Sequence, residues 1–581
     1  MRLALFLLPL TLPAAPEIRL PGKSIDVVIA TDTAALVVTD KRTHHTWRQQ
    51  MFQNTPLPKQ VRKTGPSAVS AEFDGFTAQF TLSASGELEV TVTGAGALAK
   101  PFACPHPFVT EKGTSLIVPL NEGIHYPVDD ESIAPRQLIA YGGHGISMPW
   151  FGVMDAKGAG MMMILETPDD ARIDITRQPG HGLIIRPMWD PSRGEYRYPR
   201  KARYVFLDRG GYVAMAKRYR AYARQTGLFK TLAEKRKELP AVDLLIGAAN
   251  IWNRDMDKVA LCRDMKQAGM DMVLWSGGGK PEEIAAINEL GYLSSHYDIY
   301  QDVWPPDAPA NMRREGWPDD LVLLPGGDWM KGWASHRTNP DGTKTIYQGG
   351  VISSPRQLAR ARQRIPEELK TTPYKCRFID TTTASPWRED YHPRHQLTRS
   401  DDRKYKMALL EFISKEMKLV TGTETGIDPS VPYVHYYEGM LSLGPYRLPD
   451  AGRDMLKYKP PTPDFLKFQV GYYYRIPLWE LVYHDCVVSQ WYWGDYNNKA
   501  PEVWERRDQI NVLYGTPPMY MFDKEMWESN KQRFVESYRK VCTSARKLGY
   551  DEMLSHEWLT ADHSVQRTRW SSGAEITIKF Q

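Results

Sequence analysis

The chain has 581 residues, enough for more than one domain, and a net charge of only +5 with Lys and Arg interspersed among almost as many Asp and Glu. No basic stripe marks a nucleic-acid partner, and beyond the N-terminus no apolar run approaches membrane-spanning length. The five cysteines (Cys104, Cys262, Cys376, Cys486, Cys542) are far apart and form no CxxC or Cys/His cluster, which excludes zinc-ribbon and dithiol redox classes.

In chain order, "MRLALFLLPLTLPAAPEI" pairs one Arg with a short, Pro-broken apolar run that ends in small residues. It reads as a signal peptide over residues 1–16, so the mature protein is expected to be exported. Residues 17–209 have period two. "GFTAQFTLSASGELEVTVTGAG", "KGTSLIVPL", "DARIDITRQ" and "GHGLIIRPMW" alternate apolar and polar positions between Gly, Asp and Pro turns, as in an antiparallel β-sandwich. "GYVAMAKRYRAYARQTGLFKTL" then changes to helical spacing, giving a connecting helix within residues 210–238.

From residue 239 to 549, strand and helix patterns alternate through seven to eight units, which requires a parallel sheet and fits a (β/α)8 barrel with insertions. The strands are read in "AVDLLIGAANIW", "MDMVLWSGGG", "YLSSHYDIYQD", "KCRFIDTT", "KLVTGTETG", "WELVYHDCVVSQ" and "GTPPMYMFD". An open doubly wound sheet is the rival, but no GxGxxG follows the first strand. Residues 550–581 end in a hairpin pattern, a C-terminal β segment. Cys262, Cys486 and Cys542 fall in apolar or helical patterns and read as core thiols.

The active site of such a barrel lies at the carboxyl ends of its strands. Those ends supply Trp252, Trp275, His296 and Asp298, then Asp380 with Trp387 in the loop behind it, then Glu424, and finally His484, Asp485, Trp491, Trp493 and Asp495. Paired carboxylates carry out glycoside hydrolysis, one attacking or activating water and the other protonating the leaving oxygen. Aromatic rings stack on sugar C–H faces while Asp and His bind hydroxyls, so this mouth points to a glycan or glycoprotein substrate. Asp380 and Glu424 end consecutive strands and are the catalytic candidates. "HYYE" (His435–Glu438) and His484 with Asp485 offer a weaker metal reading, for a deacetylase or lyase, without HExxH-type spacing. No cofactor is implied. A structural calcium ion remains open, with no loop signature for it.

The sandwich motifs "SMPWFGVMD" and "MMMILETPDDARI", followed by "FIDTT", "VTGTETG" and "VYHDCVVSQWYWGDYNN", resemble the retaining glycoside hydrolases of families 101 and 129, which cleave α-linked N-acetylgalactosamine. The resemblance implies a nucleophile at Asp380 in "FIDTT" and an acid/base at Glu424 in "GTE". The interval between them exceeds that expected for the group, and the surplus falls in "TASPWREDYHPRHQLTRSDD". Two expectations follow. The Thr hydroxyls after Asp380 would hold its carboxylate ionised, and Glu424 would keep its proton in the resting enzyme. An α-hexosidase for another sugar, such as α-galactose, and a non-catalytic glycan-binding protein on a hydrolase scaffold stay as alternatives.

Overall fold

The structure is a computed structural model that describes residues 16–580 apart from 53–54, 143–144, 254, 441–443, 450–454 and 491–494. The apolar leader therefore lies outside the described residues, apart from its last position.

The N-terminal part is antiparallel throughout: a four-stranded sheet, a nine-stranded sheet and a second four-stranded sheet. The turn at Ser85–Gly86 joins Phe76–Leu82 to Leu88–Gly94, and the alternate residues Phe76, Ala78, Phe80 and Leu82 of the first and Leu88, Val90 and Val92 of the second are buried. Trp150–Met154 and Gly160–Leu165 break that rule and are buried on both faces. The reason is the helix Gly211–Gln225, which packs on their second face; a Cβ on Gly152 would meet Met215 Sδ at 2.5 Å. The connecting segment is two helices. The second, Leu232–Glu238, opens with a capping box in which Thr231 and Glu234 satisfy each other's backbone amides.

Eight parallel strands follow in chain order: β1 (Ala249–Trp252), β2 (Val273–Trp275), β3 (Leu293–Asp298), β4 (Cys376–Ile379), β5 (Val420–Thr423), β6 (Tyr436–Tyr437), β7 (Val488–Ser489) and β8 (Met519–Met521), with β8 returning to pair with β1. Beyond β7, the Asn497 amide donates to Met519 O at 3.0 Å, drawing the two ends of the sheet together. Long helices such as Ser354–Leu369 and Lys524–Leu548 cover the outside.

Three differences from the sequence reading bear on the site, the first being β6 (Tyr436–Tyr437), where no strand is read from the sequence. "WELVYHDCVVSQ", expected as one strand, is a helix over Leu478–Tyr483 followed by the two-residue β7. Every residue of that helix is buried, so no polar face reveals its period. Between β3 and the next helix the chain also inserts a three-stranded sheet (Asp302–Val303, Lys331–Thr338, Lys344–Val351) for which no element was predicted.

At the C-terminus three antiparallel strands (Met553–Trp558, Val565–Trp570, Glu575–Lys579) form a small sheet. It docks on the connecting helix through a 2.6 Å bond between Tyr212 Oη and His556 Nδ1. All five cysteines are buried and unbridged.

Candidate active site

Strand pairing decides which side chains enter the barrel. Ile379 of β4 pairs with Thr423 of β5, so the next residues, Asp380 and Glu424, leave their strands at the same level. Ala249 and Ile251 pack outward with the helix residues, while Asn250 and Trp252 turn inward. By the same alternation Tyr297, Phe378, Asp380, Glu424 and Glu438 belong to the inner face.

The Thr381 amide donates to Asp380 Oδ1 at 2.9 Å and to Glu424 Oε2 at 3.2 Å, so one N–H tethers both carboxyl groups. Tyr297 Oη donates to Asp380 Oδ2 at 2.6 Å. Burial, then the charge and hydrogen bond of Glu424, push the Asp380 carboxyl well above its ordinary range, and Tyr297 and the Thr381 amide pull it back. Like charges this close disfavour ionisation of Asp380 while its neighbour is charged. Thr381 holds this geometry with a left-handed backbone, φ +62°, a strained conformation for a β-branched residue.

The expected Thr hydroxyl contacts are corrected. Thr381 Oγ1 donates to the Asp380 backbone carbonyl at 2.7 Å, and Thr383 Oγ1 bonds Thr423 Oγ1 at 3.0 Å, which ties the two strand ends together. The carboxylate takes its donors from the Thr381 amide and from Tyr297.

Below the pair lies a polar floor that sequence reasoning missed. Glu438 Oε1 accepts from Trp252 Nε1 at 2.8 Å and from Asn250 Nδ2 at 3.1 Å; Asn250 also donates to Gln490 Oε1 and accepts from Ser276 Oγ. Trp252 meets Tyr297 and Phe378 edge-to-face, at 6.1 and 6.2 Å between centroids. Trp252 thus lies inside the barrel beside Tyr297, which donates to Asp380. Glu438 had been read only as part of a metal motif. His435, three residues earlier, turns to the Thr421 amide instead, and among the described residues no cluster of three or more His, Cys, Asp or Glu could hold a metal ion.

The other sequence candidates stand elsewhere. Trp275 is fully buried in the core between strands and helices, its indole N–H on Gly278 O, because it pairs with the outward Ile251. His296 and Asp298 face the covering helix. His296 pairs with Glu368 and lies against Tyr374, and Asp298 binds Arg377 at 2.7 Å, Arg313 at 2.9 Å and Arg364 at 3.3 Å. Burial raises the Asp298 carboxyl, but the three guanidinium groups outweigh it and hold it below the usual range.

His484 bonds the carbonyls of Asp551 and Gly515, and Asp485 forms a two-pronged salt bridge with Arg220, 2.7 Å on each side. Both follow the buried helix rather than a strand, so they tie the barrel to its neighbours. Asp495 is fully buried, accepts from the Leu448 amide at 3.3 Å and lies beside Arg507. Trp387 does follow Asp380 in the loop, but its ring is buried between Tyr141 and the Lys406 ammonium. Trp491 and Trp493 lie outside the described residues.

The β-sandwich, the parallel eight-stranded barrel and the two carboxyl groups at its carboxyl end are those of a glycoside hydrolase, the class that the family match shows. A family model described as glycosyl hydrolases related to the GH101 family, GH129, matches residues 264–454 and 443–569, and the chain belongs to that family. No curated protein sequence matches. Among solved structures, the chain is similar to the ligand-free α-N-acetylgalactosaminidase NagBb from Bifidobacterium bifidum (TM-score 0.74, 18% identity, 97% of this chain and 99% of that one). The GalNAc complex of the same protein gives a TM-score of 0.75 at 18% identity over 97% and 98% of the two chains. A GH31 sulfoquinovosidase from E. rectale shares the fold more loosely (TM-score 0.53, 11% identity, 92% and 81%).

Proposed function

We propose that the protein is an exported retaining α-glycosidase acting on α-linked N-acetylgalactosaminides. The reading is carried by one observation: Asp380 and Glu424 stand level on adjacent strand ends and share the Thr381 amide. A retaining mechanism needs one carboxyl group close enough to reach the sugar itself while the other serves the leaving oxygen, and adjacent strand ends that share one amide bring the two that close.

In the first step an Asp380 carboxylate oxygen attacks the anomeric carbon. The bond to the glycosidic oxygen breaks, and that oxygen takes the proton from Glu424 and leaves as an alcohol. In the second step Glu424, now ionised, removes a proton from water. The water oxygen attacks the anomeric carbon, Asp380 leaves as a carboxylate, and the α configuration is restored. Tyr297 and the Thr381 amide are aimed at Asp380, where negative charge returns when the intermediate breaks down.

The choice of sugar rests on family membership and on the likeness to the α-N-acetylgalactosaminidase NagBb. Export rests on the leader pattern. No helix among the described residues is long and apolar enough to cross a membrane.

The test is a panel of aryl α- and β-glycosides with the first-formed anomer followed by NMR. Release of the α anomer from an α-N-acetylgalactosaminide supports the reading. Release of the β anomer would falsify the retaining mechanism, and preferred cleavage of an α-galactoside would reassign the sugar.

A further inference from the structure

Tyr141 belongs to the N-terminal β-region, yet it touches both catalytic loops. Its hydroxyl faces Asp428, four residues after Glu424, and its ring packs against Trp387 in the loop after Asp380, with centroids 5.9 Å apart. Asp428 is fully buried and is also held by the Tyr219 hydroxyl of the connecting helix. The Asp428 amide donates in turn to Ser147 O at 3.2 Å, so the N-terminal region grips this loop by backbone as well.

The next residue presses on the other loop. Gly142 lies so close to the nucleophile loop that a Cβ there would stand 2.6 Å from Ser385 O and 2.7 Å from its carbonyl carbon. Tyr141 itself has a left-handed backbone, φ +69°, although it is a bulky residue and 1% exposed. Such a conformation persists only where the surroundings over-determine it. Here those surroundings are the two loops that leave the strand ends at Asp380 and Glu424.

From this juxtaposition we propose that Tyr141 is a positioning residue that, through Asp428 and Trp387, sets the placement of the Glu424 carboxyl relative to Asp380. The β-region is then part of the catalytic apparatus rather than an appendage. The proposal rests on the assignment of Glu424 as acid/base. Its physical content is that the Asp428 anchor fixes where the loop after Glu424 can lie, and the Trp387 contact fixes the facing wall. An acid must sit within hydrogen-bond reach of the leaving oxygen, and a small displacement costs rate without weakening ground-state binding.

The test compares Tyr141→Phe, which keeps the ring and removes the hydroxyl, and Asp428→Asn with Glu424→Gln. Each is assayed on two α-glycosides of the sugar the enzyme hydrolyses, one with a dinitrophenyl leaving group that needs no proton and one with an alkyl leaving group that does. Both positioning variants are expected to lose at least about tenfold in kcat on the alkyl glycoside, with KM nearly unchanged, and far less on the dinitrophenyl glycoside. Thermal unfolding confirms that each variant is folded. Equal losses on the two substrates, or none, in both variants overturn the proposal even when Glu424→Gln shows the leaving-group dependence. If Glu424→Gln itself shows none, the acid/base assignment fails and this proposal falls with it.

Discussion

Tyr297 on β3 donates a 2.6 Å hydrogen bond to Oδ2 of Asp380, the residue that follows the adjacent β4. Its ring lies nearly parallel to Phe378, at 5.9 Å between centroids, and edge-on to Trp252, so packing fixes the direction of the hydroxyl. Tyr297→Phe should keep the packing and lose a bond to a group that is charged during turnover. Such bonds contribute about 1.5–3 kcal/mol, roughly ten- to a hundredfold in kcat/KM. Steady-state kinetics alongside thermal unfolding check this. A variant with normal kinetics would mean that the bond belongs to the resting enzyme alone.

Asp380→Ala and Glu424→Ala should separate the two carboxyl roles. Losing the acid/base costs about 10²–10⁴ in rate on substrates that need protonation, and losing the nucleophile should abolish turnover. Azide should restore the Glu424 variant on an activated glycoside with retention, and the Asp380 variant with inversion. The anomeric configuration of the azide product, read by NMR, is the deciding measurement. Full activity of either variant without azide removes that residue from the mechanism.

Asp485→Asn should act on stability and leave catalysis intact. The carboxylate meets Arg220 at 2.7 Å on both prongs, and both residues are buried. Neutralising Asp485 should cost about 1.5–3 kcal/mol, the range for a hydrogen bond to a charged group, because Arg220 keeps its second salt bridge, to Glu552 at 2.9 Å. A marked drop in melting temperature with nearly wild-type kcat/KM is expected. The opposite pattern would return Asp485 to the sugar site.

Acid should weaken the contacts between the β-regions. Burial pushes the His556 imidazole down to about 4 and His125 down to about 3, from an ordinary 6.5. Between those values and 6.5 the unfolded chain holds more protons than the folded one. The stability they contribute is therefore complete above about pH 6.5 and is lost as pH falls through that window. His556→Gln can still serve Tyr212 and Gln566 but cannot take up a proton. Denaturant unfolding between about pH 4.5 and 6 should show a slope smaller by about one proton, ~1.4 kcal/mol per pH unit. An unchanged slope would place the acid sensitivity in other groups.

The sequence by itself determined the division into an antiparallel and a parallel region, seven of the eight barrel strands in outline and the two strand-end carboxyl groups; it missed Tyr436–Tyr437 and the three-stranded insert. Alternating burial, helical spacing and turn residues are local properties, and an acid closing an apolar run is visible without a structure. Tertiary structure decided which way each side chain faces. Trp252 and Trp275 both close short apolar strands and look equivalent in sequence, yet Trp275 pairs with Ile251 and so turns outward. Strands buried on both faces carry no alternation to show which side is the interior. The same cause hid Tyr297 and Glu438, which ring stacking and a buried amide network place below the pair. It also misled the reading of His484 and Asp485, because a helix buried all round has no polar face to show its period. Tyr141 lies more than two hundred residues from the carboxyl groups in the chain, and only the docking of the β-region on the barrel brings it to their loops.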